Sequence, residues 1–154
     1  MDVEIIDFAP EHAARFRTLN VEWLEKYYRV EPIDELVLSN PIDKVIRPGG
    51  DILFARLGDK IVGTAALKHA GDGVYELTKM AVTESAQGLG LGRKLLEACV
   101  ERFHERGGKR LFLESQRRLG AALKLYETSG FEHVERPVPS QYERADVYME
   151  YRGP

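Results

Sequence analysis

The feature that most constrains the fold of this chain is a glycine-rich segment, QGLGLGR, at residues 87–93. It lies between an extended apolar run, residues 77–82, and a strongly helical run, residues 91–106. Glycines allow positive φ angles and a close approach of the backbone to a ligand, and the first turn of a helix presents unpaired N–H groups. A strand, a tight turn and a helix start in this order predict a binding site for phosphate or pyrophosphate.

The spacing of these glycines differs from that of two familiar nucleotide-binding loops. A Walker A loop ends in Gly-Lys followed by Ser or Thr, but residues 92–95 are Gly-Arg-Lys-Leu, which leaves no hydroxyl to hold magnesium. The dinucleotide fingerprint needs a third glycine three residues after its second, and those positions hold Arg93 and Leu95. Both a magnesium-dependent NTPase and a Rossmann domain are therefore disfavoured.

Length and charge agree with one small domain and argue against several classes of protein. A chain of 154 residues is close to the common domain size, so we predict a single domain over residues 1–154. The formal net charge of −3 leaves no excess of positive charge for a general nucleic-acid binder. Short apolar runs and an amino terminus unlike a signal peptide predict a cytoplasmic protein without membrane contact.

The cysteine and histidine content predicts neither a disulfide nor a metal centre. The single cysteine, Cys99, cannot form an internal disulfide, and its apolar neighbours predict a buried structural thiol. The four histidines are scattered without the spacing of metal ligands, and no paired-cysteine motif is present. We therefore expect no metal cofactor.

The hydrophobic pattern predicts strands and helices on both sides of the glycine-rich segment. Predicted strands cover residues 3–8, 51–57, 60–69, 74–82, 110–114, 131–136 and 146–151, and predicted helices cover residues 10–28, 34–38, 91–106 and 119–129. Turns at residues 58–59 and 71–73 predict an antiparallel meander. The strand–helix–strand unit of residues 74–114 predicts a parallel pair with a right-handed crossover.

Three motifs occur in order along the chain: an ELTKMAV strand at residues 76–82, Q-x-x-G-x-G at residues 87–92, and LYETSGF at residues 125–131. Together they resemble the central strand, the pyrophosphate loop and the Tyr-x-x-x-Gly-Phe signature of the GNAT superfamily of acyl-CoA-dependent N-acetyltransferases. Close similarity covers residues 61–131, and residues 48–55 also resemble single-domain bacterial members.

The resemblance implies an α/β fold of the α+β type, with a mixed, mostly antiparallel sheet of about six or seven strands flanked by about four helices. The central parallel pair would splay apart near its carboxyl ends and expose backbone groups to the pantetheine arm of the cofactor. The implied function is transfer of an acetyl group from acetyl-CoA, as co-substrate, to a primary amine of a small molecule or peptide. Transfer would proceed by direct attack in a ternary complex.

The resemblance also implies which residues contact acetyl-CoA. Strand backbone groups would pair with pantetheine, and amides of the glycine-rich segment would hold the diphosphate, with positive charge added by Arg93. The implied set is Met80, Ala81, Val82, Gln87, Gly88, Leu89, Gly90, Leu91, Gly92, Arg93 and Ala122. Leu119 stands where many relatives carry an asparagine, which puts a side-chain contact to the cofactor at that position in doubt.

Two residues are candidates for catalysis. An alkyl ammonium with a pKa of about 10.4 must lose a proton before it attacks a thioester, which costs roughly 4 kcal/mol at neutral pH. Glu76 lies where the family often has a catalytic glutamate, acting directly or through water; the alternative is a glutamate on a solvated strand face. Tyr126 matches the general-acid tyrosine of many relatives, and it also fits the core-facing stripe of its helix. Strand alternation predicts that Glu76, Thr78 and Met80 share one face.

The acceptor site is less clearly indicated. Aromatic residues of the first helix lie where relatives build one wall of the substrate pocket, although they would equally suit a core. An arginine after the strand of residues 110–114 would suit a substrate carboxylate through its bidentate fork, or it would remain a solvated loop charge. The candidate acceptor residues are Trp23, Tyr27, Tyr28, Ser115 and Arg118.

Two other functions remain open at this point. One is a non-catalytic acyl-CoA-binding or sensor domain, which would keep the anion site without the chemistry. The other is a binder of a different phosphate-containing ligand. The resemblance also allows a homodimer, with the carboxy-terminal strand and residues 137–139 as candidate contacts.

Overall fold

A computed structural model describes residues 2–153 as one seven-stranded sheet with four α-helices. The strands are β1 (Val3–Asp7), β2 (Asp51–Leu57), β3 (Lys60–Gly71), β4 (Val74–Val82), β5 (Arg110–Ser115), β6 (Phe131–His133) and β7 (Val147–Tyr151). The helices are α1 (Ala13–Tyr27), α2 (Pro32–Leu38), α3 (Leu91–Glu105) and α4 (Gly120–Thr128). None of the helices within residues 2–153 is long and apolar enough to cross a bilayer.

The strand order is β1-β2-β3-β4-β5-β7-β6. β4 and β5 are parallel, and every other neighbouring pair in this sheet is antiparallel. Hairpins join β2 to β3 and β3 to β4, β1 pairs with β2 after the chain has passed through α1 and α2, and α3 provides the crossover from β4 to β5. The predicted mixed, mostly antiparallel sheet with a central parallel pair is confirmed.

Both faces of the sheet are covered by helices. On one face, α3 buries Leu95, Cys99 and Phe103, which recur at the four-residue spacing of a helical stripe. On the other face, α1 and α2 bury Phe16 and Val37 against β2 and β3. Because these strands are buried on two sides, their sequences are almost continuously apolar instead of alternating.

Several elements differ from the bounds expected from the sequence. β6 ends at His133, three residues early, because the chain leaves its partner β7 there and Arg136 turns to pair with Glu114. α2 begins two residues earlier than predicted, at Pro32, where a capping box joins Glu31 to Asp34. A π-helical turn, Ile42–Ile46, occupies a segment that was predicted only as a connection.

The sheet opens at β4, which positions the site. β4 and β5 pair only from Val74 to Glu76, although β4 runs on to Val82, so the last part of β4 has an open edge. The register of β3 and β4 shifts at a bulge that contains Lys79, whose φ is +53°. The bulge breaks the alternation. Met80 packs with the α3-side core, so the prediction that it shares a face with Glu76 is wrong.

Candidate active site

A groove of about 590 Å³ runs from the start of α3, along the open edge of β4, to α4. Most of the predicted cofactor residues line it, namely Met80, Ala81, Val82, Gln87, Gly88, Gly90, Leu91, Gly92, Arg93 and Ala122. The Leu89 side chain lies outside this lining and is 56% exposed. The fold therefore gathers the central strand, the glycine-rich segment and α4 around one elongated space.

The glycine-rich segment forms a tight turn at the amino end of α3. Gly88 and Gly90 have φ angles of +85° and +76°, in the left-handed region that favours glycine. The backbone N–H of Lys94 donates to the carbonyl of Gly90 at 3.2 Å, so the preceding amides of the first turn have no acceptor within the helix. These amides and the positive end of the helix dipole provide a site for an anion.

Arg93 lies at the start of α3, as predicted, and its guanidinium reaches the end of α4. It donates to Thr128 Oγ1 at 2.9 Å and to Ser129 Oγ at 3.2 Å. Both partners are neutral hydroxyls, so the positive charge of Arg93 is not cancelled by them. The side chain thus links α3 to α4 and adds positive charge to the groove.

A smaller cavity of about 100 Å³, the inner cavity, lies beside the groove between β4, β5 and the end of α1. Trp23, Met80, Leu119 and Tyr126 line both spaces, so the groove and the inner cavity meet at these side chains. Glu76 lines the inner cavity and not the groove. The two catalytic candidates are therefore brought to the same cavity from two separate elements, β4 and α4.

The predicted acceptor residues are divided between the two spaces. Tyr28 and Ser115 line the inner cavity, Tyr27 and Arg118 line the groove, and Trp23 lines both. The Arg118 guanidinium lies 4.8 Å from the centre of the Tyr28 ring and donates to the carbonyl of Tyr27. The Tyr28 hydroxyl is buried and makes no well-formed hydrogen bond among residues 2–153, although the nearby Arg118 guanidinium opposes the rise in its pKa that burial causes.

Glu76 has the environment expected of a base. Burial raises the pKa of Glu76 above its ordinary value of 4.5, and the positive charges of Lys79 and Lys68 partly oppose this shift. No hydrogen bond contributes to the shift, which leaves the carboxylate oxygens free to accept a proton. A carboxylate with a raised pKa is better matched to proton transfer near neutral pH than an ordinary glutamate.

Tyr126 has the environment expected of a proton donor. Burial raises the pKa of Tyr126 to about 12, so its hydroxyl keeps its proton at neutral pH. The ring also packs edge-on against Phe131, with the ring centres 6.3 Å apart. Packing against the core therefore holds the ring while the hydroxyl remains a donor at the junction of the two spaces.

A buried ion network, which the sequence pattern did not indicate, lies beside the inner cavity. Asp34 is fully buried and accepts hydrogen bonds from Lys79 Nζ at 2.7 Å and from Arg144 at 2.8 and 2.9 Å. Arg144 also donates to Glu31 at 2.7 Å. The Tyr142 hydroxyl lies 3.4 Å from Lys79 Nζ. The network joins α2, the bulge of β4 and the connection between β6 and β7.

The environment of the network changes the pKa of Asp34 and that of Lys79 in different ways. Burial alone raises the pKa of Asp34, but hydrogen bonds and positive charge from Arg144 and Lys79 outweigh burial and hold this pKa below its ordinary value of 3.8. Burial lowers the pKa of Lys79, and Asp34 opposes that shift. Because the Asp34 carboxylate accepts hydrogen bonds from two cations, Asp34 is the residue of this network that stays ionised most firmly. Its partners lie 45 and 110 positions away, so no local sequence signal could have revealed them.

Comparisons with known proteins place this geometry among acetyltransferases. A family model described as "Acetyltransferase (GNAT) family" matches residues 13–131. The uncharacterized N-acetyltransferase YjgM of Escherichia coli K12 is 38% identical over 73 residues, which cover 47% of this chain and 44% of YjgM. The chain therefore matches less than half the length of that curated relative.

Two solved structures share the fold at low sequence identity. A GNAT-family acetyltransferase from Staphylococcus aureus Mu50 has a TM-score of 0.88 at 19% identity, covering 97% of this chain and 98% of that one. YncA from Salmonella typhimurium, solved with its cofactor acetyl-CoA, has a TM-score of 0.74 at 18% identity, covering 97% of this chain and 93% of that one. Among residues 2–153, no group of three or more His, Cys, Asp or Glu side chains could hold a metal ion.

Proposed function

Because the chain belongs to the GNAT acetyltransferase family, we propose that it transfers an acetyl group from acetyl-CoA to a primary amine of a small molecule or peptide. The junction of the groove with the inner cavity carries this proposal, because Tyr126 lines both spaces and Glu76 lines the inner one. A thioester that enters along the groove would meet an amine held in the inner cavity at this junction.

The groove suits acetyl-CoA along its whole length. The diphosphate would lie on the amides at the start of α3, near the charge of Arg93. The pantetheine arm would run along the open edge of β4 at residues 80–82, where backbone groups can pair with it as with another strand. YncA, which shares the fold, was solved with acetyl-CoA, and this supports the assignment.

The chemistry begins with the amine, which must be neutral to attack. Glu76 would take the proton, directly or through a water molecule, and so offset the roughly 4 kcal/mol cost of deprotonation at neutral pH. The nitrogen would form a bond to the acetyl carbonyl carbon, and the carbon–sulfur bond would break with its electron pair on the CoA sulfur. Tyr126 would give its proton to that thiolate. The nitrogen would then lose its second proton, which restores the Tyr126 hydroxyl directly or through water. The products are an N-acetyl amide, free CoA and a protonated Glu76 that releases its proton to solvent.

A thiol-release assay with acetyl-CoA and a panel of amines tests this proposal. Background from the chain should be low, because Cys99 is fully buried and burial raises the pKa of its thiol to about 12. We expect amine-dependent release by the wild type. Glu76→Gln and Tyr126→Phe should each lower kcat by about 100-fold or more, the range for loss of general acid–base catalysis, with little change in acetyl-CoA binding.

The control is Glu132→Gln, which removes an exposed carboxylate on β6, away from both spaces, and should keep wild-type turnover. Release that no amine stimulates, with tight acetyl-CoA binding by calorimetry, would favour a non-catalytic sensor. Stronger thermal stabilisation by a nucleotide than by CoA would favour a binder of another phosphate ligand.

A further inference from the structure

A third space, the outer cavity, opens on the other side of Glu76. It has a volume of about 380 Å³ and lies between the sheet and the connection from β6 to β7. Glu76, Glu114 and Tyr142 line both the outer and the inner cavity. The proposed base is therefore in the wall between two spaces, and a molecule in the outer cavity can approach it from the side away from the inner cavity.

Two cations flank Glu76 in the outer cavity. Lys68 of β3 is the register partner of Glu76, and Arg110 of β5 is the register partner of Val74. Register partners, and residues two apart on one strand, point to the same face of a sheet. Both cations line the outer cavity. With strands about 4.8 Å apart and a rise of about 3.3 Å per residue, the Cα atoms of Arg110 and Glu76 are about 8 Å apart.

Neither cation is held in an ion pair by another residue of the described part of the chain, although the Lys68 charge acts on Glu76, its register partner. Lys68 and Arg110 take part in none of the ion pairs formed within residues 2–153. The nearby carboxylate of Glu114 is already paired with Arg136 and accepts a hydrogen bond from Ser140 at 3.1 Å. An anion entering the outer cavity would thus meet two unpaired positive charges.

The rest of the outer cavity suits a short carbon chain. Phe112 and Tyr148 stack with their ring centres 5.5 Å apart and form part of its sheet side. Pro137 and Val138 line it from the connecting segment, and Val138 is 67% exposed. The space therefore combines apolar walls with two unpaired cations close to the proposed base.

On the premise that the protein is an acetyltransferase, we propose that the outer cavity binds an anionic group of the acceptor. The preferred acceptor is then an amine that also carries a carboxylate or a phosphate. Lys68 and Arg110 hold the anion, the carbon chain lies against the apolar walls, and the amine reaches past Glu76 into the inner cavity. Because the Cα atoms of the two cations lie about 5 to 8 Å from that of Glu76, an acceptor with a few bonds between amine and anion can span this distance.

Matched acceptor pairs test this inference by steady-state kinetics at saturating acetyl-CoA. The pairs are γ-aminobutyrate with n-butylamine, L-glutamate with L-glutamine, and phosphoethanolamine with ethanolamine. We expect kcat/KM to be about tenfold higher for the acidic member of at least one pair, the size of one charge-assisted contact. The pair that shows the preference distinguishes a carboxylate from a phosphate.

Charge-removing variants connect the preference to the outer cavity. Lys68→Met and Arg110→Met should each lower the acidic-to-neutral ratio of kcat/KM about tenfold, mainly through KM of the acidic acceptor. The ratio cancels any effect of Lys68 on Glu76, because both acceptors use the same base. Lys60→Met, which removes an exposed lysine at the other end of β3, should leave the ratio unchanged.

Equal use of the acidic and neutral members, or an unchanged ratio in both variants, would overturn this inference and leave acetyl transfer itself intact. Absence of transfer to every amine tested would instead refute the proposed function, and this inference would fail with it.

Discussion

Replacing Asp34 with Asn tests whether the buried ion network stabilises the wall of the inner cavity. Its carboxylate is fully buried and accepts hydrogen bonds from Lys79 and Arg144. Asn keeps the shape of the side chain and an oxygen for the backbone N–H of Glu31, which bonds to Asp34 at 3.0 Å. The substitution therefore removes the negative charge and leaves the start of α2 otherwise intact.

The expected loss of unfolding free energy depends on which ion-pair partners Lys79 and Arg144 keep in the variant. Removing one member of a buried ion pair costs about 3–5 kcal/mol of unfolding free energy, because the remaining charge is buried without compensation. Arg144 still has Glu31 at 2.7 Å, so Lys79 is the cation left unpaired. We therefore expect the lower end, about 3 kcal/mol. A domain of this length loses about 2–4 °C of Tm per kcal/mol, which gives a fall in Tm of about 6–12 °C.

Thermal and urea unfolding followed by circular dichroism measure this loss at neutral pH. The control is Glu35→Gln in the same helix, because its ion pair with Arg17 has both side chains 43% exposed and should contribute little. Adding Lys79→Met to Asp34→Asn should recover part of the loss, because it removes the unpaired ammonium. If Asp34→Asn lowers Tm no more than Glu35→Gln does, the reasoning is refuted.

The same variant should differ from the wild type less in acid. Burial raises the pKa of Asp34, but hydrogen bonds from Arg144 and Lys79 hold it below 3.8 in the folded state. A lowered pKa contributes stability that is present above the unfolded-state pKa and is lost as pH falls through the folded-state pKa. The difference in unfolding free energy should therefore be complete at neutral pH and shrink below about pH 4. A difference that persists unchanged in strong acid would contradict this account.

Three further predictions concern the cofactor turn, the base and the buried thiol. Gly90 and Gly58 have φ angles of +76° and +62°, and a Cβ at either would meet nothing within 4 Å. Alanine at each should cost about 1 kcal/mol of stability, but steady-state kinetics should show a higher KM for acetyl-CoA only in Gly90→Ala; an equal rise in Gly58→Ala would contradict the cofactor site. Burial raises the pKa of Glu76 above 4.5, and an acid with a raised pKa loses stability as pH rises from the unfolded-state pKa through the folded-state pKa. Glu76→Gln should therefore raise Tm at neutral pH and not in acid, which unfolding scans across pH would check. Cys99 should react with a thiol reagent only after unfolding, and rapid labelling of the native protein would show that its burial is wrong.

The parts of the fold that could be predicted from the sequence are those determined by neighbouring residues along the chain. The glycine turn needs positive φ at Gly88 and Gly90, and a helix with a regular apolar stripe follows it at once. The predicted strand over residues 74–82 and the helix over residues 91–106 agree with β4 and α3 to within one residue. Short-range steric and hydrophobic preferences decide these elements, so a single sequence was enough to place them.

The ion network and the outer cavity depend on contacts between distant segments. Asp34 and Arg144 are 110 positions apart, and each alone is an ordinary charged residue in its segment. Lys68 and Arg110 likewise come to one face only through the pairing of β3, β4 and β5. Register and topology therefore had to be known before either group could be identified.

The bulge in β4 had a signal in the sequence that simple alternation does not capture. Strict alternation would place Lys79 with Tyr75 and Leu77 in the apolar core under α3, where an unpaired ammonium is very unfavourable. One extra residue in the strand instead turns Lys79 to the opposite face, where its Nζ donates to Asp34 Oδ1 of α2 at 2.7 Å. The strained φ of +53° is thus offset by a buried ion pair.

The same bulge has a second consequence for the site. Because it adds a residue to β4, Met80 moves to the α3 side and lines both the groove and the inner cavity, beside Tyr126. The ion pair of Lys79 with Asp34 therefore stabilises a strand geometry that places the cofactor edge of β4 next to the proposed proton donor. The bulge therefore shapes both the wall of the inner cavity and the edge of β4 that would bind pantetheine, and the Asp34 charge on α2 stabilises both.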